Sequence, residues 1–346
     1  MKVRKALKNN QPGGFWAFVL VAALAACTEE REANNYASQI KLDVPEIRIE
    51  RVDSQMMRLQ TTPEIMAFLK ANPSLKNTFF QPEPEMPDSV LASRILQTLT
   101  NPAYRKFYGE VQQTFGNMND VEKQLETAFK NTKYFYPGFK VPKIQAVVSG
   151  LGFLSRQGAA LSVSDSLIVI SLDFYVGAKG SFVPNVPAFL LKKYTKPALV
   201  PSIVGVMAEK HIAQNPADKS MLNEMVVAAK KLEFTRQIMP DVPDSLISFY
   251  SEAQQKNSEQ NKDVIWAHFV KEKLLYETNH FVKVKYIGER PFTAEIGQKC
   301  PGAIGRWLGW QIVRKYLDEN PNVTLPQLMR NPDAQDVFVK SKYKGQ

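Results

Sequence analysis

Residues 301–316 read PGAIGRWLGWQIVRKY, and a helix of this composition has to be buried on most sides. At 3.6 residues per turn, Ile304, Trp307, Leu308, Trp310, Ile312, Val313 and Tyr316 leave almost no polar face. Gly302, Gly305 and Gly309 gather on one side. Each interior glycine costs about 1 kcal/mol relative to alanine, a cost kept where a second backbone must come very close. Arg306, Gln311 and Arg314 on the same helix are then partly buried, and each needs a partner. Carboxylates or carbonyls would serve the two arginines. Ion pairing inside the core is the simpler reading of them, and an anion-binding cleft is the functional one.

The rest of the chain must supply a shell around that helix. Ile47–Val52 alternates apolar and polar and predicts a short strand. Thr62-Pro63-Glu64 opens a helix to about Asn72, with Thr62 as its cap, and the proline-rich stretch 81–88 is a loop. Helices are expected near 88–100, 102–114 and 119–131, the last capped by Asn119 or Asp120. The middle is β-rich: 143–150, 160–163 and 167–175, with Ser164-Asp165-Ser166 as a turn between the last two. Helical spacing returns over 187–194, 198–213, 217–236, 243–255 and 261–277. Val282–Tyr286 alternates and predicts a strand, 288–300 is loop, and Leu325–Met329 begins a last short helix. The expected class is α+β: a mainly helical single domain with a small sheet that contains an antiparallel hairpin.

The N-terminus predicts export. Lys2, Arg4, Lys5 and Lys8 precede the apolar run Phe15–Ala26, which is too short for a permanent span of about 20 residues. Leu24-Ala25-Ala26-Cys27 has the pattern of a bacterial lipobox, so residues 1–26 read as a cleaved signal peptide and Cys27 as the lipidation site. Residues 27–45 read as a flexible tether and 46–346 as the globular domain. Thr28 after the anchor, rather than Asp, favours the outer membrane at its periplasmic face by resemblance to Gram-negative sorting rules. Removing residues 1–26 takes four positive charges from the formal +10, leaving +6. That excess is modest, and neither a dense basic run nor a nucleic-acid motif is present. Of the two cysteines, Cys300 has no partner once Cys27 is acylated, so no internal disulfide is expected.

Motifs for familiar chemistry do not appear. The three histidines, His211, His268 and His280, are scattered, and in Ala208-Glu209-Lys210-His211 the acid and the histidine are two apart, on different sides of a helix. There is no GxSxG, GxxxxGK or GxGxxG, so neither a hydrolase elbow nor nucleotide use is supported. Cys300 precedes a helix start, where a thiolate would gain from the dipole, but it reads as a small buried thiol. Asp165, Asp173, Glu209, Glu233, Glu289 and Glu295 contain no evident acid–base pair. Asp173, set in the apolar IVISLDFYVG, either caps the strand end or lines a cleft, and capping is preferred.

At the C-terminal helix a family resemblance appears. PGAIGRWLGWQIVRKYL, followed by TLPQLMRNPDAQDVFVKSKYK (324–344), resembles the C-terminal signature of the GldB family of gliding-motility lipoproteins of Bacteroidetes. The segments 114–144, 166–177 and 225–247 resemble that family's central helix, Leu-Asp strand and Gly-Lys helix, with Ala229 where Gly is expected; Ala303 stands where Arg is expected. The family is similar to predicted zinc peptidases of zincin-like layout, a strand followed by a helix bearing HExxH. Here strand 167–175 and helix 198–214 take those places, and the helix carries VMAEKHI. The resemblance thus implies a protease-like scaffold without its metal, with no catalytic residue, metal ligand or cofactor. It implies a non-catalytic envelope lipoprotein required for gliding, which binds or stabilises other components of the motility and secretion machinery. Its partners would be the membrane, through the anchor, and other gliding-motility envelope proteins, with no nucleic acid and no nucleotide. The alternative is a hydrolase or peptide-binding protein using the degenerate cleft, with Asp173, Glu209 and Arg306 as polar lining. A chaperone-like carrier for exported proteins is a third reading.

Overall fold

A computed structural model describes residues 44–155 and 158–346, all within one unit of the chain. The expected signal peptide, Cys27, Thr28 and the expected tether up to residue 43 lie outside the described residues. A short strand, β1 (Ile49–Arg51), runs directly into a helix, α1 (Val52–Met56). Then come α2 (Thr62–Ala71), a helical turn Pro73–Leu75 leading into a π-helical turn Lys76–Phe80, α3 (Asp88–Thr100), α4 (Pro102–Phe115) and α5 (Asn119–Phe135). Strands β2 (Lys143–Val147), β3 (Leu161–Val163) and β4 (Leu167–Ser171) follow. The second half holds α6 (Leu199–Ala208), α7 (Met221–Ile238), α8 (Asp244–Ser248), α9 (Glu252–Gln260), α10 (Lys262–Lys271) and α11 (His280–Ile287). It ends with α12 (Ile304–Glu319), α13 (Leu325–Arg330) and α14 (Ala334–Ser341).

The strands form one mixed sheet in the order β1–β2–β4–β3. β1, β2 and β4 are parallel, with Ile144 opposite both Ile49 and Ile168, and β3 returns antiparallel, Val163 opposite Ile168. β4 (LIVIS) is apolar almost throughout because both its faces are covered. Its period of two sorts the side chains: Ile168 and Ile170 enter one core, Leu167 and Val169 the other. The second core is closed by Ile65 and Leu69 of α2, Phe79 and Phe80, and Leu91, Ile95 and Leu99 of α3. The first, larger core holds the second half of the chain, built around α7 and α12. The fold is α+β, mainly helical with one small sheet.

Local chemistry explains where elements start and where expectation and structure part. Thr61, not Thr62, caps α2: the capping box needs Glu64 three residues on, and the Thr61 and Gln60 N–H groups both bond its carboxylate. α5 has no side-chain cap; Met118, at φ 59°, precedes it, while Asp120 and Glu122 face the positive end of the helix dipole. The segment 282–286 is helix rather than strand: Val282 and Tyr286, two strides of an alternation, are also i and i+4 on one helical face. Segment 243–255 is broken into α8 and α9 by Phe249 at φ 56°, and 188–193 is a 3₁₀ stretch. Strand β4 ends at Ser171, and a 3₁₀ turn covers Leu172–Tyr175. Leu325 begins the penultimate helix, and α14 is the last.

The three glycines of 302–309 mark close approaches. A Cβ on Gly302 would lie 1.9 Å from the carbonyl oxygen of Arg290, and one on Gly309 would meet the backbone of Met225 in α7. The glycines therefore let α12 sink against α7 and the 288–290 loop, which brings Trp307, Trp310 and Arg306 among the charged residues of those elements. Among the described residues no helix is long and apolar enough to cross a membrane.

Candidate functional site

Asp173 sits at the start of the 3₁₀ turn after β4 and is 1% exposed. Its carboxylate accepts the Ser149 N–H at 2.9 Å, the Leu151 N–H and the Ser149 hydroxyl, holding the loop that leaves the neighbouring strand β2. Burial raises its pKa above the ordinary aspartate value, and the three donors act against that rise. Asp173 lines neither of the two clefts described below.

The smaller cleft, about 230 Å³, lies beside the C-terminal end of α6 and is lined by Phe139, Val163, Asp165, Met207, Glu209 and Lys210 among others. Its acids are engaged. Glu209 accepts from Lys231 at 2.5 Å, and Asp165 is paired with Lys210. His211 stacks on Tyr136, ring centroids 4.0 Å apart, and on Phe234 at 5.7 Å. Burial first, and the Lys210 charge second, lower its pKa to about 4, opposed weakly by Asp165. The other histidines lie elsewhere: His268 bonds the Tyr286 hydroxyl at 3.0 Å, and His280 begins α11 on the surface. Among the described residues no group of three His, Cys, Asp or Glu is placed to hold a metal ion.

The two arginines of α12 divide between two networks. Arg314 donates to Asp244 at 2.6 Å, stands 4.0 Å above the Trp310 ring, and faces Glu233 at 3.9 Å. Glu233, 3% exposed, accepts the indole N–H of Trp310 at 2.9 Å and the Gln237 amide at 2.8 Å. A buried acid thus finds the donors that keep it from being stranded. The Nε2 of half-buried Gln311 has no hydrogen-bond partner among the described residues.

Arg306 joins the second network, at the larger cleft. This cavity of about 460 Å³ lies between the 188–193 turn, α7, the 248–250 corner, the 287–290 loop and the start of α12. One carboxylate oxygen of Glu289 takes both Lys193 and Arg306 at 2.6 Å each. Burial pushes the Glu289 pKa up, but the two cations outweigh it and hold the group below the ordinary glutamate value. Lys192 has a neutral acceptor, Gln254 at 3.1 Å, and lies 5.4 Å over the Tyr250 ring. Burial first, and the adjacent Lys193 second, lower its pKa. Apolar walls come from Phe189, Leu232, Phe249, Ile287 and Trp307. The Trp307 indole N–H has no acceptor among the described residues.

The set of Asp173, Glu209 and Arg306 expected to line one cleft is therefore not one site. Arg306 lines the larger cleft, Glu209 the smaller, and Asp173 is in the sheet core; Lys231, on the wall of the larger cleft, reaches across to Glu209. Sequence reasoning missed Lys192 and Lys193, whose local signal is a doubled cation inside the apolar AFLLKKY. Cys300 is buried, and burial pushes its thiol up to about 12, against a smaller lowering by Thr293. Such a thiol is a poor nucleophile at neutral pH.

A family model described as "Gliding motility protein GldB" matches residues 30–345. No curated protein and no solved structure matches the chain.

Proposed function

The chain belongs to the GldB family of gliding-motility proteins, and on that premise we propose that it is a non-catalytic lipoprotein that gliding requires and that binds or stabilises other components of the motility and secretion machinery. The family match over residues 30–345 carries this reading. The lipobox Leu24-Ala25-Ala26-Cys27 supports anchoring through Cys27, and Thr28 supports the outer membrane over the inner. Several fatty chains on one residue, at about 0.8 kcal/mol per buried CH₂, make such attachment stable. The engaged acids of the smaller cleft support a holding role over a hydrolytic one. A general base must be able to reach and take a substrate proton, and Glu209 and Asp165 are each held by a lysine.

The test is a deletion strain complemented with the wild-type gene and with Cys27→Ala. Loss of gliding with a fall in the levels of other motility lipoproteins is expected on deletion, and wild type should restore both. Unchanged gliding and unchanged partner levels would sink the reading. Mass spectrometry of the native protein should find Cys27 acylated, and an unmodified thiol there would remove the anchor.

A further inference from the structure

We infer that the larger cleft, beside Arg306 and Lys192, is a binding site for an organic carboxylate attached to an apolar group, as an acidic peptide segment presents it. Its use by a partner protein rests on the holding role proposed above; the site itself does not.

Charge is the first argument. Five cations line the cleft (Lys192, Lys193, Lys231, Arg290 and Arg306) against two carboxylates, Glu224 and Glu289. Their partners just outside are Glu209 on Lys231, Glu295 on Arg290 and Lys283 on Glu224. With these included, six cations stand against four acids, an excess of two. The excess falls on the side of Lys192, Lys193 and Arg306, where Glu289 pairs with Lys193 and Arg306 while Lys192 bonds the neutral Gln254. A concave wall of low polarity focuses such a field and draws anions.

Glu289 is itself a sample of the chemistry. A single carboxylate oxygen accepts a lysine and an arginine together, so the donors are already placed for carboxylate recognition. Lys192, beside them, is half-buried, and its hydrogen-bond acceptor among the described residues is the neutral Gln254 amide. Burial and then the Lys193 charge lower its pKa more than Glu289 raises it, and an incoming carboxylate would act against that lowering.

Size and lining give the rest of the ligand. A cavity of about 460 Å³ is in the range of small-ligand sites. A bare inorganic ion would leave Phe189, Phe249, Ile287 and the Trp307 wall uncovered. An apolar body joined to the anion covers them and gains from leaving water.

The experiment is calorimetric titration of the full mature protein in non-ionic detergent with N-acetyl-Phe-Glu-amide, with neutral N-acetyl-Phe-Gln-amide, with inorganic phosphate and with a short-chain phosphatidylglycerol. The acidic dipeptide is expected to bind at least about tenfold tighter than the neutral one, the worth of one charge contact of about 1.4 kcal/mol. Lys192→Gln and Arg306→Gln, both at half-exposed positions and checked for unchanged melting, should each weaken the acidic dipeptide about tenfold and leave the neutral one alone. Equal binding of the two dipeptides, or acidic-dipeptide binding indifferent to both substitutions, overturns the inference. So does tighter binding of phosphate or of the phospholipid, which would make the ligand an inorganic ion or a membrane headgroup. The titration reads the cleft alone and the deletion strain reads motility alone, so failure of one is told apart from failure of the other.

Discussion

Gly309 and Met225 meet backbone to backbone: a Cβ on Gly309 would stand 2.5 Å from the Met225 carbonyl oxygen and 2.8 Å from its carbon. Both atoms belong to α7, so neither is a side-chain tip that could swing aside. Gly309→Ala should therefore push α12 off α7 and destabilise by about 1–3 kcal/mol, although alanine is the better helix former. Gly109, inside α4, has nothing within 4 Å of where a Cβ would go. Gly109→Ala should show the bare propensity gain of up to about 1 kcal/mol. Urea midpoints of the two variants, moving in opposite directions, check the pair.

Asp173 is where the sheet is tied to its outgoing loop. Both its oxygens accept from Ser149 or Leu151. Asp173→Asn replaces one acceptor with an NH₂ group that would face donors. Charge-assisted bonds of this kind contribute about 1.5–3 kcal/mol each, so a loss of roughly 2–4 kcal/mol is expected in denaturant unfolding. Little loss would mean that the loop 149–152 is held by other contacts.

The parts legible in the sequence are those whose cause is local. The glycine and tryptophan spacing of 302–310 announces a helix pressed on other backbone, and the backbones it meets are those of Arg290 and Met225. β4 announces itself by an apolar run that only a doubly covered strand needs. Val282–Tyr286 misleads because an alternation of two and a helical stride of four place the same two residues on one side. Nothing in the letters shows that Phe249 adopts φ 56° and breaks a helix, since that angle is imposed by packing rather than preferred by Phe. The larger cleft is least legible of all. Lys192, Glu289 and Arg306 are brought together from segments far apart in sequence, and only the folded α7 and α12 place them.

Lys230 provides an alkaline signature. It is 1% exposed, and its ammonium donates to the carbonyl of Ala213 at 3.1 Å and to that of Asn331, joining α7 to the segments that follow α6 and α13. Burial lowers its pKa from 10.5 to about 8. Between those values the unfolded chain holds a proton that the folded one has released, so stability rises with pH across the window and is level below it. A gain on the order of 2–3 kcal/mol from pH 8 to 10.5 is expected from such a shift. Lys230→Met should flatten the rise, read as the difference in urea midpoint between variant and wild type at each pH.

His211 gives the matching signature on the acid side, and it bears on the peptidase-like reading. The ring lies between Tyr136 and Phe234, and its pKa falls from 6.5 to about 4, by burial and then by Lys210. In this case too the folded state holds fewer protons than the unfolded one, now between pH 4 and 6.5. The contribution of the neutral ring is fully present above pH 6.5 and is lost as pH falls towards 4. His211→Phe keeps an aromatic surface for Tyr136 and Phe234 and removes the titration. Its urea midpoint should fall less steeply than that of wild type over pH 6.5 to 4. Were His211 instead a working ligand in the smaller cleft, the substitution would abolish a stoichiometric zinc-binding isotherm measured at pH 7. With the ring committed to the aromatic stack, titration of zinc into wild type and His211→Phe should give the same result, and the variants should differ only in their acid limb.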